Sequence, residues 1–159
     1  MAIGRLRRPS TRLTGVRIVV CGKPMPVEIP ESTMFYNKQL LPCGDKLTTH
    51  SMVRWEHLPT KTDFPVIFHA IDGENVREGN SPSWFNPQEA IQAVEYVKLL
   101  VKHSKPPISE DNIGIITPYA WQVLKIRVAL RVTGVSNVKV GSVETFQGQE
   151  RRCNIISTV

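Results

Sequence analysis

Short apolar runs alternate with helical patterns through the second half of this chain, and that alternation constrains the fold more than any other feature of the sequence. The apolar runs cover residues 64–71, 113–116, 138–142 and 154–159. Runs of this length are typical of strands buried in a parallel sheet. Strands that alternate with helices predict an α/β fold, in which a parallel sheet carries flanking helices joined by right-handed crossovers.

The first helix is predicted to begin at Asn86, because Asn is a favoured N-cap and Pro87 suits the first helical position. Glu89, three residues after the cap, completes a capping-box pattern. Pro106 ends the element. Between these limits, apolar residues at helical spacing predict the face that packs on the sheet: Ala90, Ile91, Val94, Val97, Leu100 and Val101.

A second helix is predicted to begin at Thr117-Pro118 by the same capping logic, and Gly134 ends it. The residues expected on its buried side are Tyr119, Val123, Ile126 and Leu130. Two helices between three of the apolar runs give the order strand, helix, strand, helix, strand. This order is the doubly wound α/β pattern.

A polar loop, residues 142–150, separates the last two apolar runs and contains candidate ligand-binding groups. Loops at the ends of buried strands are where α/β folds place their ligand sites. Gly148 would let the backbone approach a phosphate closely, while Gln147 and Glu150 are side chains that can fix a sugar or an attacking water. A single glycine is also compatible with an ordinary polar connection, so the residues alone leave both interpretations open.

This loop and two other stretches resemble the superfamily 1 helicases. The string KVGSVETFQGQE at residues 139–150 resembles motif V of the Upf-like RNA helicases, and most closely that of the Mov/Armitage group. The string IGIITPYAWQVLKIR at residues 113–127 is similar to the family's motif IV, and REGNSPSWFNPQEA at residues 77–90 agrees as well. The resemblance covers about residues 64–159 and implies a partial second helicase lobe with the RecA-like, P-loop NTPase-type fold.

Carried onto these residues, the resemblance implies an RNA-binding face. Thr117 and Ser142 would contact the backbone phosphates of single-stranded RNA, and Tyr119 would belong to the same RNA-binding set. Hydroxyl groups suit this task because phosphate contacts position the nucleic acid without reading its sequence.

The resemblance also implies an ATP-binding face. Gln147 and Gly148 would be the catalytic residues on the γ-phosphate side of the cleft between two lobes. Gly148 and Glu150 would bind the nucleotide, with the Glu150 carboxylate accepting hydrogen bonds from the ribose hydroxyls. The alternative for Glu150 is a salt bridge with Arg151 or Arg152.

The implied cofactor is ATP with Mg²⁺, in the context of the complete helicase. Phosphoryl transfer needs a P-loop lysine, a carboxylate that holds Mg²⁺ and usually an arginine finger. Gly22-Lys23 is followed by Pro24 where a P-loop has a hydroxyl residue, and Gly73 separates Asp72 from Glu74 in what would otherwise resemble a Walker B ending. We therefore expect this chain to be catalytically inactive alone.

The resemblance implies three kinds of partner: single-stranded RNA, the first helicase lobe and RNA-silencing proteins. The function it implies is that of an ATP-dependent RNA helicase of the RNA-silencing type, to which this chain contributes ATP and RNA contacts. The alternative is a catalytically inactive truncated paralogue that acts as an RNA- or protein-binding module.

Length and charge suggest how the chain is organised. A chain of 159 residues can form one domain with a core. Its net charge of +6 is concentrated at the start, where five arginines precede the first acidic residue, Glu28: Arg5, Arg7, Arg8, Arg12 and Arg17. We divide the chain into a basic N-terminal arm (1–27), an irregular connecting segment (28–63) and the partial lobe (64–159). The arm has the composition of a transit peptide or a disordered segment, and residues 16–20 could form a short strand.

Cysteine usage and hydropathy bear on location. The three cysteines are widely separated and odd in number, which favours a reducing intracellular compartment. Cys43, His50 and His57 match no standard zinc spacing, so no metal site is expected. No apolar run approaches the ~20 residues that span a bilayer, so no transmembrane segment and no membrane contact are expected. The reducing compartment and the family resemblance together lead us to expect a cytoplasmic protein.

Overall fold

Five strands form a single sheet in the computed structural model, which describes residues 14–19, 37, 47, 51–53, 55–58, 65–105 and 107–159. The strands are β1 (Thr14–Val19), β2 (Val66–Ile71), β3 (Ile113–Ile116), β4 (Lys139–Gly141) and β5 (Cys153–Ser157), arranged in the order β2-β1-β5-β3-β4. The helices are α1 (Pro87–His103), α2 (Ala120–Val132) and the single turn α3 (Val143–Phe146), with a 3₁₀ turn at Glu110–Asn112.

The parallel half of the sheet confirms the predicted fold class. Strand β3 lies between β4 and β5 and pairs with both in parallel, with Ile115 opposite Val140 on one side and Ile155 on the other. Helix α2 connects β3 to β4, and α1 packs against α2. A parallel three-stranded sheet with flanking helices is a RecA-like α/β arrangement.

The antiparallel half of the sheet corrects one prediction. Residues 64–71 were expected to form a buried parallel strand; β2 is instead an edge strand, antiparallel to β1. Its side chains alternate, with Ile67 buried and Phe68 64% exposed. An antiparallel pair can face solvent on one side, whereas a strand buried on both faces cannot.

Strand β1 comes from the segment assigned to the basic arm, and it pairs with β5 as well as β2. The short strand anticipated at residues 16–20 is therefore present, slightly earlier in the chain, at Thr14–Val19.

The core lies between the sheet and the two longer helices. Ala93, Val97 and Leu100 of α1 are completely buried, as are Ile115 and Ile155 of the sheet. The buried face of α1 differs from the predicted face at two positions: Ile91 is 61% exposed and Val101 is only partly buried, while Ala93 takes part in the core. None of the helices in the described part of the chain is long and apolar enough to cross a membrane.

Candidate functional site

The segments that follow β3 and β4 lie side by side at one edge of the sheet. The backbone N–H of Thr117, immediately after β3, donates to the carbonyl oxygen of Gly141, the last residue of β4, at 3.0 Å. Parallel strands bring their carboxyl ends to the same edge, which is where α/β folds bind ligands. The stretches that resemble motifs IV and V therefore adjoin in this fold.

Thr117 itself is closed off from solvent. Its relative exposure is 0%, and its Oγ1 has no hydrogen-bond partner among the described residues. A hydroxyl without access to solvent cannot reach a phosphate, so the direct RNA contact predicted for Thr117 does not fit this arrangement. Tyr119 and Ser142, the other two residues of the predicted RNA set, are both partly exposed.

The start of α2 differs from the predicted one. The helix begins at Ala120, its N-cap is Tyr119, and the Tyr119 side chain forms no capping hydrogen bond. Ser83, from the loop before α1, takes that role: its Oγ accepts the backbone N–H of Trp121 at 3.0 Å. Ser81 Oγ accepts the indole N–H of Trp121 at 2.6 Å. A cap supplied by a distant segment leaves no local sequence signal, which is why Thr117-Pro118 was mistaken for the helix start.

Ser142 occupies the N-cap position of the short turn α3, but its side chain interacts with a carboxylate and forms no capping hydrogen bond. A hydrogen bond from the Ser142 hydroxyl, aided by a backbone N–H, holds the pKa of the exposed Glu144 below its ordinary value. The carbonyl oxygen of Ser142 accepts the Thr145 hydroxyl at 2.8 Å. The predicted phosphate contact therefore has a persistent negative charge beside it, which weakens the attraction of this edge for RNA.

Turn α3 packs tightly on the sheet because of a glycine. A Cβ placed on Gly114, in the middle of β3, would lie 2.6 Å from Cε1 of Phe146. Phe146 is 7% exposed and is the buried residue of α3. A glycine in β3 is needed for this close approach, and the approach sets the distance between turn α3 and the sheet.

A cavity of about 500 Å³ opens beside this turn. Its lining consists of Ile116, Val143, Glu144, Phe146 and Gln147. Gln147, one of the two predicted catalytic residues, therefore lines a largely apolar recess at the end of β3. Binding sites of small molecules commonly have this mixture of apolar walls and few polar groups.

Gly148 and Glu150 lie in the exposed loop between α3 and β5. Gly148 has a φ of +69°, and no atom lies within 4 Å of the position a Cβ would take. A left-handed glycine with open space around it leaves the backbone accessible to a ligand.

The alternative salt bridge of Glu150 is not formed among the described residues. Arg151 donates to the Glu150 carbonyl oxygen at 2.8 Å and to Gln149 at 3.4 Å, while Arg152 donates to Ser51 at 3.0 Å. No described residue bonds to the Glu150 carboxylate, which leaves its oxygens able to accept hydroxyl hydrogen bonds from a ligand. Gly148 and Glu150 are thus both accessible to a ligand from solvent.

Sequence reasoning missed a buried polar network directly behind this edge. Gln122, in the first turn of α2, is completely buried. Its Oε1 accepts the backbone N–H of Asn86 at 2.9 Å, and its Nε2 donates to the Asn86 carbonyl oxygen at 3.2 Å and to Ser157 Oγ at 3.0 Å. One side chain therefore connects the starts of both helices to the end of β5.

Glu89 completes the network. Its Oε2 accepts the Ser157 hydroxyl at 2.5 Å and the backbone N–H groups of Thr158 and Val159 at 3.1 and 3.4 Å. Asn86 Oδ1 accepts the Glu89 N–H at 3.1 Å, so the predicted N-cap is confirmed. In a full capping box the Glu89 carboxylate would also accept the Asn86 N–H. Here Gln122 accepts that N–H, and the Glu89 carboxylate accepts the N–H groups of Thr158 and Val159 instead.

A signal for this network was present in the sequence. Gln122 lies four residues before Ile126, on the same side of α2, and is thus a polar residue on the stripe that packs on the core. Buried polar side chains need hydrogen-bond partners, so such a position predicts a network even though it cannot name the partners.

Comparison with known proteins agrees with this geometry. Residues 25–159 match the family described as "AAA domain". The chain is 50% identical over 128 residues to the RNA helicase Mov10l1 of Homo sapiens, covering 80% of this chain and 10% of that protein. It is 43% identical over 147 residues to the putative helicase mov-10-B.1 of Danio rerio, covering 86% of this chain and 14% of that protein.

A third relative comes from an insect. The probable RNA helicase armi of Drosophila melanogaster is 38% identical over 136 residues, which are 80% of this chain and 11% of that protein. The chain thus spans about a tenth of the length of these relatives. The match to the AAA domain begins upstream of residue 64, where the motifs begin, and extends to residue 159. The chain belongs to the AAA-domain family, within the Mov/Armitage-like group of RNA helicases.

Proposed function

We propose that this chain supplies part of the second RecA-like lobe of an ATP-dependent RNA helicase and contributes contacts to single-stranded RNA and to ATP. The observation that carries the proposal is the hydrogen bond from Thr117 to Gly141, because it joins the motif IV and motif V stretches at one edge of the sheet. By the resemblance to the Mov/Armitage group, the helicase acts in the cytoplasm with RNA-silencing proteins.

The RNA contacts come from Tyr119 and Ser142. Both are partly exposed. Ser142 directly follows β4, and Tyr119 lies three residues after the end of β3. The hydroxyl of Ser142 donates to a phosphate oxygen when it leaves the Glu144 carboxylate, and the Tyr119 ring offers a stacking surface with a polar tip. These contacts read no base edges, so binding is independent of sequence.

The ATP contacts come from the loop between α3 and β5. Glu150 accepts the ribose hydroxyls, the backbone at Gly148 lies against the phosphates, and Gln147 faces the γ-phosphate side from the wall of the cavity. Bound ATP supplies the phosphoryl group whose transfer drives translocation. These three residues bind and orient it.

The carboxylate that holds Mg²⁺ is assigned to the first lobe by the resemblance to the helicase family. Mg²⁺ takes oxygen ligands in octahedral geometry, commonly one or two carboxylates together with phosphate oxygens and water. In this loop the Glu150 carboxylate is used for the ribose instead.

Substitution of the RNA contacts tests the proposal. We expect Tyr119→Ala and Ser142→Ala to weaken binding of a single-stranded RNA, measured by fluorescence anisotropy in low salt. Affinity of the unaltered chain should be no better than about micromolar and should fall as salt rises, as expected of non-specific phosphate contacts. Glu144→Gln should act in the opposite direction and strengthen binding, because it removes the negative charge beside Ser142. Glu95→Gln, on the exposed side of α1, is the charge-matched control and should change nothing.

The N-terminal arginines need their own control. Removal of residues 2–13 eliminates four of the five early arginines without cutting into β1. Binding that persists in this shortened chain and still responds to Tyr119→Ala supports the proposed contacts. Binding that disappears with the arginines, and never responds to Tyr119→Ala or Ser142→Ala, would show that the sheet edge is not the RNA site.

Two glycines provide a matched test of the nucleotide loop. Gly148 and Gly134 have φ values of +69° and +75°, and neither has an atom within 4 Å of a Cβ position. Alanine at either site therefore brings the same backbone strain, about 1 kcal/mol. We expect only Gly148→Ala to reduce the ATP-induced shifts of backbone amide resonances at residues 147–150, measured by NMR titration. Equal loss in both variants would mean that strain alone, and not the nucleotide contact, explains the effect.

A further inference from the structure

Two histidines and a glutamate from separate segments meet at the C-terminal end of α1. His103 is the last residue of that helix, while Glu56 and His57 belong to the turn at residues 55–58. Glu56 Oε1 lies 3.7 Å from His103 Nδ1 and 3.9 Å from His57 Nε2. One ligand atom from each of the three residues lies within 4.8 Å of the others.

These separations are too long for hydrogen bonds but suit atoms that share a metal ion. Zinc lies ~2.0 to 2.2 Å from nitrogen and oxygen ligands, so two ligands of one tetrahedral ion are roughly 3.3 to 4 Å apart. Two imidazoles and one carboxylate are a ligand set that zinc uses with an open fourth position. Imidazole also suits cobalt and nickel, whereas magnesium and calcium prefer oxygen ligands.

The surroundings hold the ligands in place. The indole of Trp55, which is 5% exposed, contacts the His57 ring edge-on at 5.2 Å between ring centres. The rings of His57 and His103 are 5.6 Å apart at 76°. The cluster also lies at the negative end of the α1 dipole, which favours a cation. The positive charges of the exposed Lys102 and Lys105 repel a cation. Metal binding must therefore come from coordination by the three side chains and not from the net charge around them.

Two buried polar groups belong to residues that adjoin the cluster in sequence. Trp55 Nε1 and Ser104 Oγ have no hydrogen-bond partner among the described residues. The indole N–H can only donate, so it could bond to a water molecule but could not ligate a cation.

We propose that Glu56, His57 and His103 form a site for a divalent transition metal of the zinc type, with water in the fourth position. The bound ion joins the turn at residues 55–58 to the end of α1. This site differs from the trio considered from the sequence, of which Cys43 and His50 lie outside the described residues. The proposal is independent of the RNA and ATP sites.

Metal binding and simple ion pairing respond to pH in opposite ways. A metal ion competes with protons for the imidazole nitrogens, so its affinity falls as the pH is lowered. An ion pair between Glu56 and a histidine needs the protonated imidazole, so it strengthens over the same range. Saturable Zn²⁺ binding that weakens at mildly acidic pH therefore indicates coordination, whereas an ion pair alone gives no saturable Zn²⁺ binding at either pH.

The experiment is a titration of the chelator-treated 159-residue chain with Zn²⁺ by calorimetry, with the Co²⁺ absorption spectrum as a second readout. We expect one ion per chain, weaker binding at acidic pH, and a rise in thermal midpoint with Zn²⁺. His103→Ala and His57→Ala should each lower Zn²⁺ affinity by more than ~100-fold. Substitution of a residue that only hydrogen-bonds to a metal ligand already lowers metal affinity by about 10- to 100-fold. Glu56→Gln should weaken binding less.

Matched controls keep the test specific. His69→Gln replaces an imidazole that bonds to Tyr96 at 2.9 Å, and Glu95→Gln replaces an exposed carboxylate on α1; both should bind Zn²⁺ normally. The ligand variants should retain the metal-free thermal midpoint, because their side chains are exposed. Absence of saturable binding, unchanged affinity in both histidine variants, or loss only in a Cys43→Ser, His50→Ala double variant would overturn the proposal.

Discussion

Replacement of Glu89 by alanine is expected to lower the free energy of unfolding by about 3 to 5 kcal/mol, because it leaves one buried and two partly buried donors unpaired and opens a cavity. The donors are the Ser157 hydroxyl and the backbone N–H groups of Thr158 and Val159. Urea denaturation followed by circular dichroism gives the measurement. The control is Glu95→Ala on the same helix, which removes an exposed pair with Lys98 and should cost less than about 1 kcal/mol.

A graded series separates the hydrogen bonds from the loss of volume. Glu89→Gln keeps the size of the side chain and one acceptor oxygen. Its loss of unfolding free energy should therefore fall between the losses in Glu95→Ala and Glu89→Ala. Gln122→Leu keeps most of the volume but removes the acceptor of the Asn86 backbone N–H and the donor to Ser157 Oγ, so it should also destabilise strongly. Equal stability of Glu89→Ala and Glu95→Ala would show that the network contributes nothing and that the contacts after β5 are incidental.

The purified chain is expected to release no phosphate from ATP above background, with or without RNA. No GxxxxGK[ST] pattern occurs in its 159 residues, so it has no P-loop lysine to stabilise the charge on the transferred phosphoryl group. Loss of an arginine finger alone costs about 10³ to 10⁵ in rate, and a missing phosphate cradle adds to that deficit. Glu150 and Gly148 cannot compensate, because groups that position a nucleotide do not stabilise the charge that develops during transfer.

The assay needs Glu150→Ala alongside the unaltered chain. RNA-stimulated turnover that disappears in Glu150→Ala would contradict the expectation and would make this chain an enzyme by itself. Turnover that the substitution leaves unchanged would indicate a contaminating ATPase. A chain that binds RNA but neither binds nor hydrolyses ATP would favour the alternative of an inactive RNA-binding module.

The sequence by itself determined the local elements of this protein. Asn86 and Pro87 predict the start of α1 because a cap and a first-turn proline act within a few residues, and the structure places both there. The apolar run Ile113–Ile116 predicts β3 because continuous apolar side chains need burial on both faces. The parallel order of β3, β4 and β5 then follows from the intervening helices.

Predictions from local patterns were wrong where a segment distant in sequence made the deciding contact. Thr117-Pro118 has the composition of a helix start, but Ser83 caps α2 from outside and the helix begins at Ala120. Residues 64–71 read as a buried strand, but β1 pairs with β2 and leaves Phe68 facing solvent. Each outcome depends on contacts between segments that are far apart in sequence. A local sequence pattern cannot predict the free energy of such contacts.

The candidate sites divide in the same way. The string from Lys139 to Glu150 is sufficient to suggest a ligand-binding loop, because a short stretch of chain contains the glycine, amide and carboxylate together. Only the tertiary structure decided that Thr117 is buried and Ser142 is accessible, since burial depends on everything packed around a residue. It also decided that Gln122 bonds to Ser157 and that the rings of His57 and His103 lie beside each other, because folding, and not spacing along the chain, brings such pairs together.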